Sequence, residues 1–273
     1  MKNEVSEGEK KVNNRYPEID EVIAYIHEHL DEALPLSHLA HQAAYSPYHF
    51  SRIFKEKTGL SPHQYVSSLK LQRAKSLLLH TNLTVRDISM EIDQQSLGTF
   101  TTRFTKRVGM TPMQFRKSSI EVNKHLQYLK KHKDWSQQLI IGNQRNKVTG
   151  TIAAEVPLHG VILIGLFTKP IPEGLPQYGT LLSSLGNFSF TDVRPGIYYL
   201  MATAVYWEMK ANEILVPQKT LRAIAEKPIK VGSEMVIPQQ HLTLRGPRLN
   251  DPPILISLPL LIKNFLNRTN SNI

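Results

Sequence analysis

The side chains in this chain that could do chemistry are hydrogen-bond donors, not nucleophiles. Tyr48, Ser51, Arg52 and Lys55 follow Ser46-Pro47, and Thr101, Thr102, Arg103, Lys106 and Arg107 follow Ser96-Leu97-Gly98. Hydroxyls, a phenol, guanidinium and ammonium groups at helical spacing hold acceptor oxygens and nitrogens, and they break no bonds. Phe50 and Phe54 are interleaved with the first set, and Phe100 and Phe104 with the second. Aromatic pairs at i and i+4 mark one buried helix side, so the polar set points the other way. The eleven histidines suggest a metal or an acid–base site. His27, His29, His38 and His41 are close in sequence, but helical positions two apart diverge. The chain has no H-E-x-x-H, G-x-S-x-G or glycine-rich phosphate-loop pattern. With no cysteine, thiol catalysis, disulfides and thiolate metal sites are excluded. Neither an enzymatic site nor a metal or cofactor is expected.

The two sets are copies of one another. Shifted by fifty positions, Phe50 falls on Phe100, Phe54 on Phe104, Gly59 on Gly109, Pro62 on Pro112 and Tyr65 on Phe115. Each copy has a turn, a short helix, a glycine stop and a Ser/Thr-Pro helix start. Charge collects on the same stretch: residues 1–44 are net −5, residues 45–135 net +10 and residues 136–273 net +5. A basic stripe over helical repeats suits a polyanion, with nucleic acid the first candidate.

Elements that would position these side chains follow in order. Residues 1–16 read as a disordered tail. Pro17 sits just inside a helix whose Ile19, Val22, Ile23, Ile26 and Leu30 recur at helical spacing, and the stretch Asp31 to Pro35 breaks it. A short second helix opens with Ser37 as its expected N-cap and ends near Ala44. Ser46-Pro47 starts the third, giving two helices across a tight turn. Ser61-Pro62 starts a longer helix reaching about His80. Thr84 caps another short one, with Asp87 three residues on as a shortened capping box. The second copy and a closing helix from Thr111-Pro112 complete the set. A rod from Ser61 to His80 spans roughly 27–30 Å, close to the ~34 Å turn of duplex DNA.

The stretches Leu39 to Tyr65 and Ile88 to Arg116, above all "SLGTFTTRFTKRVGMTPMQFR" from Ser96, resemble the DNA-binding domain of AraC/XylS-type bacterial transcription regulators. The resemblance covers residues 17–117. It implies seven helices in two helix-turn-helix units joined by the long helix, with one recognition helix per unit in successive major grooves. By position it assigns base contacts to Tyr48, Ser51 and Arg52, and in the second unit to Leu97, Gly98, Thr101 and Thr102. Lys55, Arg103, Lys106 and Arg107 are expected on phosphates, with an intradomain ion pair as the other reading of Arg103. Where the family has glycine at the turns this chain has Ala44 and Asp93, so the first turn is expected to cost about 1 kcal/mol or to change shape. Thr102 stands where the first copy has Arg52, so the first unit is expected to dominate base reading. The implied partners are double-stranded DNA, RNA polymerase and a second copy of the chain. A helical adaptor that binds protein and not DNA is the competing class.

Residues 118–150 read as a connector: Val122, Leu126 and Leu129 keep a helical period, and the stretch Gly142 to Lys147 reads as a linker. From Thr151 to about residue 268, short apolar or alternating runs between Pro and Gly predict a β-sandwich, so the fold class is α then β. Candidate strands are 151–156, 161–167, 178–184, 187–190, 196–207, 229–236, 241–245 and 254–258, with Lys219 to Glu226 a short helix or loop. "GNFSFTDVRPGIYYLMATA" from Gly186 is similar to the strand-turn-strand of carboxypeptidase regulatory-like, transthyretin-like domains. Tyr198, Tyr199, Tyr206 and Trp207 are the candidate lining of a small-molecule effector pocket; dimerisation is the other reading of this domain. The first residues lack a signal-peptide pattern, and the longest apolar run, Ile254 to Ile262, is broken by Pro259 and too short for a bilayer. A cytoplasmic protein without membrane contact is expected.

Overall fold

Serine or threonine before proline starts helices here as the sequence predicts. The computed structural model describes residues 16–94, 96–131, 146–232 and 236–270. Its helical part runs α1 (Pro17–Glu28), α2 (Leu36–Gln42), α3 (Pro47–Thr58), α4 (Pro62–His80), α5 (Val85–Glu91), α6 (Leu97–Val108), α7 (Pro112–Lys117) and α8 (Ser119–Lys131). Ser46 and Ser96 accept from the main-chain N–H of His49 and Thr99, capping α3 and α6. Ser61 with Gln64, Thr84 with Asp87 and Thr111 with Gln114 form reciprocal capping boxes on α4, α5 and α7. Gly59 and Gly109, at φ +77° and +89°, end α3 and α6 in the left-handed conformation that a Cβ disfavours. The second helix differs from expectation: its N-cap is Pro35 in extended conformation, and Ser37 lies inside α2.

The first part of the connector is helical, over Ser119–Lys131. Val122, Leu126 and Leu129 are buried on α8, because the period they keep puts all three on one face. The tail over residues 1–15 and most of the linker, with Trp135, lie outside the described residues.

The β part comprises β1 (Val148–Ala154), β2 (Gly160–Phe167), β3 (Tyr178–Leu182), β4 (Gly186–Phe190) and β5 (Gly196–Tyr206). A short α9 (Ala211–Leu215) follows, then β6 (Arg222–Ile224), β7 (Ile229–Val231), β8 (Gln240–Leu244) and α10 (Leu258–Asn270). One open sheet has the order β4-β1-β8; the other runs β3-β2-β5-β6, with β7 also pairing β5. Val148, Ile152, Phe188, Phe190, Leu242 and Leu244 from the first meet Ile162, Ile164, Leu166, Leu200 and Ala202 from the second in one apolar layer. The resembled strand-turn-strand, β4 to β5, crosses between sheets, and Asp192 takes φ +54° at the crossing.

Two stretches depart from the expected strands. Arg222–Ile224, expected as helix or loop, is a strand antiparallel to Met201–Thr203 of β5. Ile254 to Ser257 is buried but unpaired as a strand, and from Leu258 the chain turns helical. Pro259 lies in the first turn of α10, where its missing N–H costs nothing.

The second sheet's outer face does not meet water. Val161, Leu163, Leu181 and Val205 belong to the same apolar cluster as Phe50, Phe100 and Phe115, bridged by Ile254, Ile256, Leu258 and Ile262. The helical and β parts therefore share one core. Buried positions of α4 fall all round it, at Tyr65, Ser68, Leu69, Leu71, Ala74, Lys75 and Leu78, because the helix is covered on several sides.

Candidate nucleic-acid interface

The turns that aim α3 and α6 are built alike. The N–H of Tyr45 donates to the carbonyl of Ala40 and that of Ala44 to His41; Gln94 donates to Ser89 and Asp93 to Met90. Ala44 and Asp93 take φ +54° and +59°. Ala44 thus keeps the left-handed conformation despite its Cβ, so the first turn is strained and not reshaped. The sulfur-free core behind each helix is also duplicated. Phe50, Phe54 and Tyr65 pack ring to ring, as do Phe100, Phe104 and Phe115, with successive centroids 5.4–5.7 Å apart.

With those rings buried, the opposite sides face outward. Tyr48 is 83% exposed and Leu97 43%. Arg52, Gly98 and Thr102 are exposed, and Ser51 and Thr101 half-buried. Lys55 and Lys106 are exposed, with no ion pair or side-chain hydrogen bond among the described residues. Arg52 lies 3.6 Å from Glu56 one turn on, and both are about half exposed. Such a surface pair contributes about 0.5 kcal/mol or less, so releasing Arg52 to another acceptor costs little.

Two of the expected phosphate contacts are otherwise engaged. Arg103 donates to the Gln94 side chain at 2.9 Å, a hydrogen bond to a neutral amide across the turn and not the ion pair that was its other reading. Arg107 pairs with Glu173 of the β part and donates to Ser67 at 3.2 Å, with only 13% of its side chain exposed. The expectation of a phosphate contact for Arg107 gives way to this bond between the two parts, since withdrawing Arg107 would break a mostly buried pair and leave Glu173 to Lys169 alone, 2.7 Å away. Among the described residues, Lys106 remains as the cation of the second helix without an ion pair.

A helix-turn-helix family model matches residues 39–118. The Transposon Tn10 TetD protein of Escherichia coli is 30% identical over 102 residues, which cover 37% of this chain and 74% of that one. The chain belongs to the AraC-type helix-turn-helix family. YobQ of Bacillus subtilis, described as an uncharacterized HTH-type transcriptional regulator, is 43% identical over 94 residues, covering 34% of this chain and 39% of that protein. Transcriptional regulator Rob of Salmonella typhimurium is 33% identical over 101 residues, covering 37% and 35%. The DNA-binding domain of AdpA, solved with a target DNA, shares 26% identity at a TM-score of 0.36, covering 38% of this chain and 93% of that one. This chain thus spans less than two thirds of the length of YobQ and of Rob, and the shared part is the AraC-type domain.

Behind that AraC-type domain lie contacts that sequence reasoning missed. Lys75 on α4 is fully buried, its Nζ 3.1 Å from the carbonyl oxygens of Ile254 and Leu255. Burial pushes its pKa down from 10.5 to about 7. Tyr65 donates to the carbonyl of Leu249 at 2.9 Å, and burial raises its phenol. Main-chain N–H groups of Gly174 and Ser257 donate to the carbonyls of Arg107 and Val108, the last of α6. A Cβ on Gly109 would meet Leu260 at 2.6 Å, so the β part seats directly on the end of α6. One signal for Lys75 was available: it falls on the apolar stripe with Leu71 and Leu78.

The four aromatics named for an effector pocket do not converge. Tyr198 is buried between the sheets and donates to the carbonyl of Arg194 at 3.0 Å, and Tyr206 packs against the same layer. Trp207 packs on the core shared with the helices, and Tyr199 sits opposite Phe167 on the sheet. Strand alternation sends neighbours to opposite faces, which is why a run of aromatics cannot line one pocket. Among the described residues, no helix is long and apolar enough to cross a membrane.

Proposed function

We propose that the chain is a transcription regulator that places α3 and α6 in successive major grooves of double-stranded DNA. Tyr48, Ser51 and Arg52 read bases in the first groove, and Leu97, Gly98, Thr101 and Thr102 line the second. Lys55 and Lys106 meet phosphates, Arg103 steadies the second turn through Gln94, and Arg107 fastens α6 to the β part. The 19 residues of α4 separate the two helices by about 28 Å of rod, close to one duplex turn. One observation carries the reading: on two duplicated helices with matching cores, the sides left outward are the donor-bearing ones, and among the described residues Arg52 is held only by Glu56. The β part regulates this domain, since it is seated on the end of α6 and on α4.

Selection of bound fragments from a random DNA pool supplies the site, and titration at fixed salt supplies the test. Arg52→Ala should weaken the selected site by about 1–3 kcal/mol and leave random DNA nearly unchanged, while Lys55→Ala should weaken both alike. Equal losses on both DNAs for Arg52→Ala would remove its base-reading role, and binding of a protein ligand with no DNA retention would favour the adaptor class.

A further inference from the structure

The outer face of the second sheet is roofed by the chain from Pro252 to Arg268, and the two do not close completely. A cavity of about 170 Å³ remains between them. Its floor is the sheet register itself: Leu163, Leu181 and Thr203 lie side by side, with Met201, Arg222 and Ile224 next along. Gly165 and Gly179 sit opposite each other because Pro176 lies against the sheet there; a Cβ on either would come within 2.9 Å of it. Ile254, Ile256, Leu258, Leu261 and Phe265 form the roof, and Pro172 and Leu175 a wall.

The lining is mostly apolar, with Thr180, Thr203 and Asn264 as its neutral polar side chains and two arginines as its charged ones. Arg222 and Arg268 border the cavity, and no acidic side chain does. Arg222 is 6% exposed; its guanidinium donates to the carbonyls of Pro217 and Gln218. Arg268 donates to the carbonyl of Gly179 at 3.0 Å. Neither has an ion-pair partner among the described residues. Arg222 is bonded by neutral carbonyls and meets the Asp251 carboxylate only at longer range, and Arg268 is exposed with one carbonyl partner, so both guanidiniums can take an anion placed beside them. The volume suits one ring or a short chain, for an apolar cavity on the order of 150 Å³ takes up benzene.

The roof and wall of this cavity are also the clamp on the second recognition helix. Pro172 accepts hydrogen bonds from Leu255 and Ile256, linking wall to roof. Glu173 and Gly174 hold Arg107, Ser257 holds the carbonyl of Val108, and Ile254 and Leu255 are held by Lys75. Anything that shifts roof or wall therefore shifts the seat of α6.

We propose that a small apolar carboxylate, ring-sized or with a short aliphatic chain, binds in this cavity and alters DNA affinity through the roof and wall that hold the end of α6. The site is defined by the cavity; its effect on DNA rests on the regulator reading above. Titration calorimetry of the full chain with hexanoate, cyclohexanecarboxylate and phenylacetate, against 1-hexanol as the uncharged control, tests the site. Saturable binding of at least one carboxylate is expected, abolished by Met201→Trp, which fills the floor. Arg268→Gln should weaken that carboxylate about tenfold and leave 1-hexanol unchanged. Thermal denaturation confirms that both variants fold. No binding of any of the three, or binding undiminished in folded Met201→Trp, overturns the site. The DNA titration is then repeated with the bound carboxylate at saturation, where a change in affinity of about fivefold or more is expected. Carboxylate binding with unchanged DNA affinity overturns the coupling. A chain that holds no DNA with or without carboxylate overturns the regulator reading, and the calorimetry still decides the cavity.

Discussion

Lys75 is a cation in the middle of the shared core, and its titration should be visible in the stability of the whole chain. Its Nζ reaches the Ile254 and Leu255 carbonyls at 3.1 Å and stands 5.4 Å from the centroid of Phe115. Carbonyls and ring favour the ammonium, and burial opposes it, taking the pKa down to about 7. In the unfolded chain the amine keeps its ordinary value of 10.5. Between pH 7 and 10.5 the unfolded state therefore binds more protons than the native one, and stability rises with pH across that window. Below pH 7 the penalty is fully present and flat. At 1.36 kcal/mol per unit, a shift of about 3.5 units amounts to about 5 kcal/mol, of which about 3.5 falls between pH 7 and pH 10.

Lys75→Met keeps an unbranched side chain and removes the titration. It also takes the donor from two buried carbonyls, a pH-independent loss of about 1–3 kcal/mol for each. Urea unfolding of both proteins at pH 6, 7, 8.5 and 10 separates the two effects. Relative to wild type, the variant should lose about 3.5 kcal/mol of its advantage, or gain that much in deficit, between pH 7 and pH 10, with little change from pH 6 to 7. A difference that stays constant across all four values would show that the amine is not buried as the geometry places it.

Two further outcomes follow from the turns and the clamp. Ala44→Gly should raise stability by about 1 kcal/mol in denaturant unfolding by relieving a Cβ at φ +54°, and Asp93→Gly should give less, because Asp tolerates that conformation; a loss at Ala44 would refute the strain. Glu173→Gln leaves Arg107 half-buried without its partner and should cost about 2–3 kcal/mol, against about 0.5 or less for Glu56→Gln opposite exposed Arg52. A double-mutant cycle of Glu173→Gln with Arg107→Gln should show a coupling above about 1 kcal/mol, and near-additive losses would refute the clamp.

The helical part was legible because its signals are local. Proline at N1, serine or threonine caps, glycine stops and phenylalanines four apart each act within one turn, and together they locate α3 and α6 and show which side is outward. The duplication supplied a second reading of every position. The β part was legible as strands but not as an assembly. Tyr198, Tyr199, Tyr206 and Trp207 read as a cluster in sequence, yet pleating and the turn after β5 send them to different neighbours. Ile254 to Leu258 has a strand's composition, but it finds no ladder and instead roofs the sheet before α10. Arg107 reads as a surface cation from its own helix, and only Glu173, sixty-six residues on, makes it a buried partner. Ser37 lost its capping position to Pro35 because the helix starts two residues earlier, right after extended Pro35.

The fifty-residue repeat extends to the anchoring of the two recognition helices, with one change of source. Lys57 and Arg107 occupy equivalent places in the last turns of α3 and α6. Lys57 is held by Asp20 at 2.7 Å, and Asp20 belongs to α1, which is part of the helical domain itself. Arg107 is held by Glu173, which belongs to the β part. The ends of α3 and α6 touch the β part unequally as well: a Cβ on Gly59 would only reach Pro170 at ordinary contact, 3.5 Å, whereas one on Gly109 would collide with Leu260. The first recognition helix is thus secured within its own domain, and the second depends on a neighbour for its last carbonyls and its final cation. Arg52 stands on the first and Thr102 on the second, so under the proposed function base reading and anchoring to the β part would be divided between the copies. A displacement of the β part would leave the pose of α3 on its core while moving α6 relative to it. Under the proposed function the β part would then act on the spacing and angle between the two helices, not on the donors that either presents.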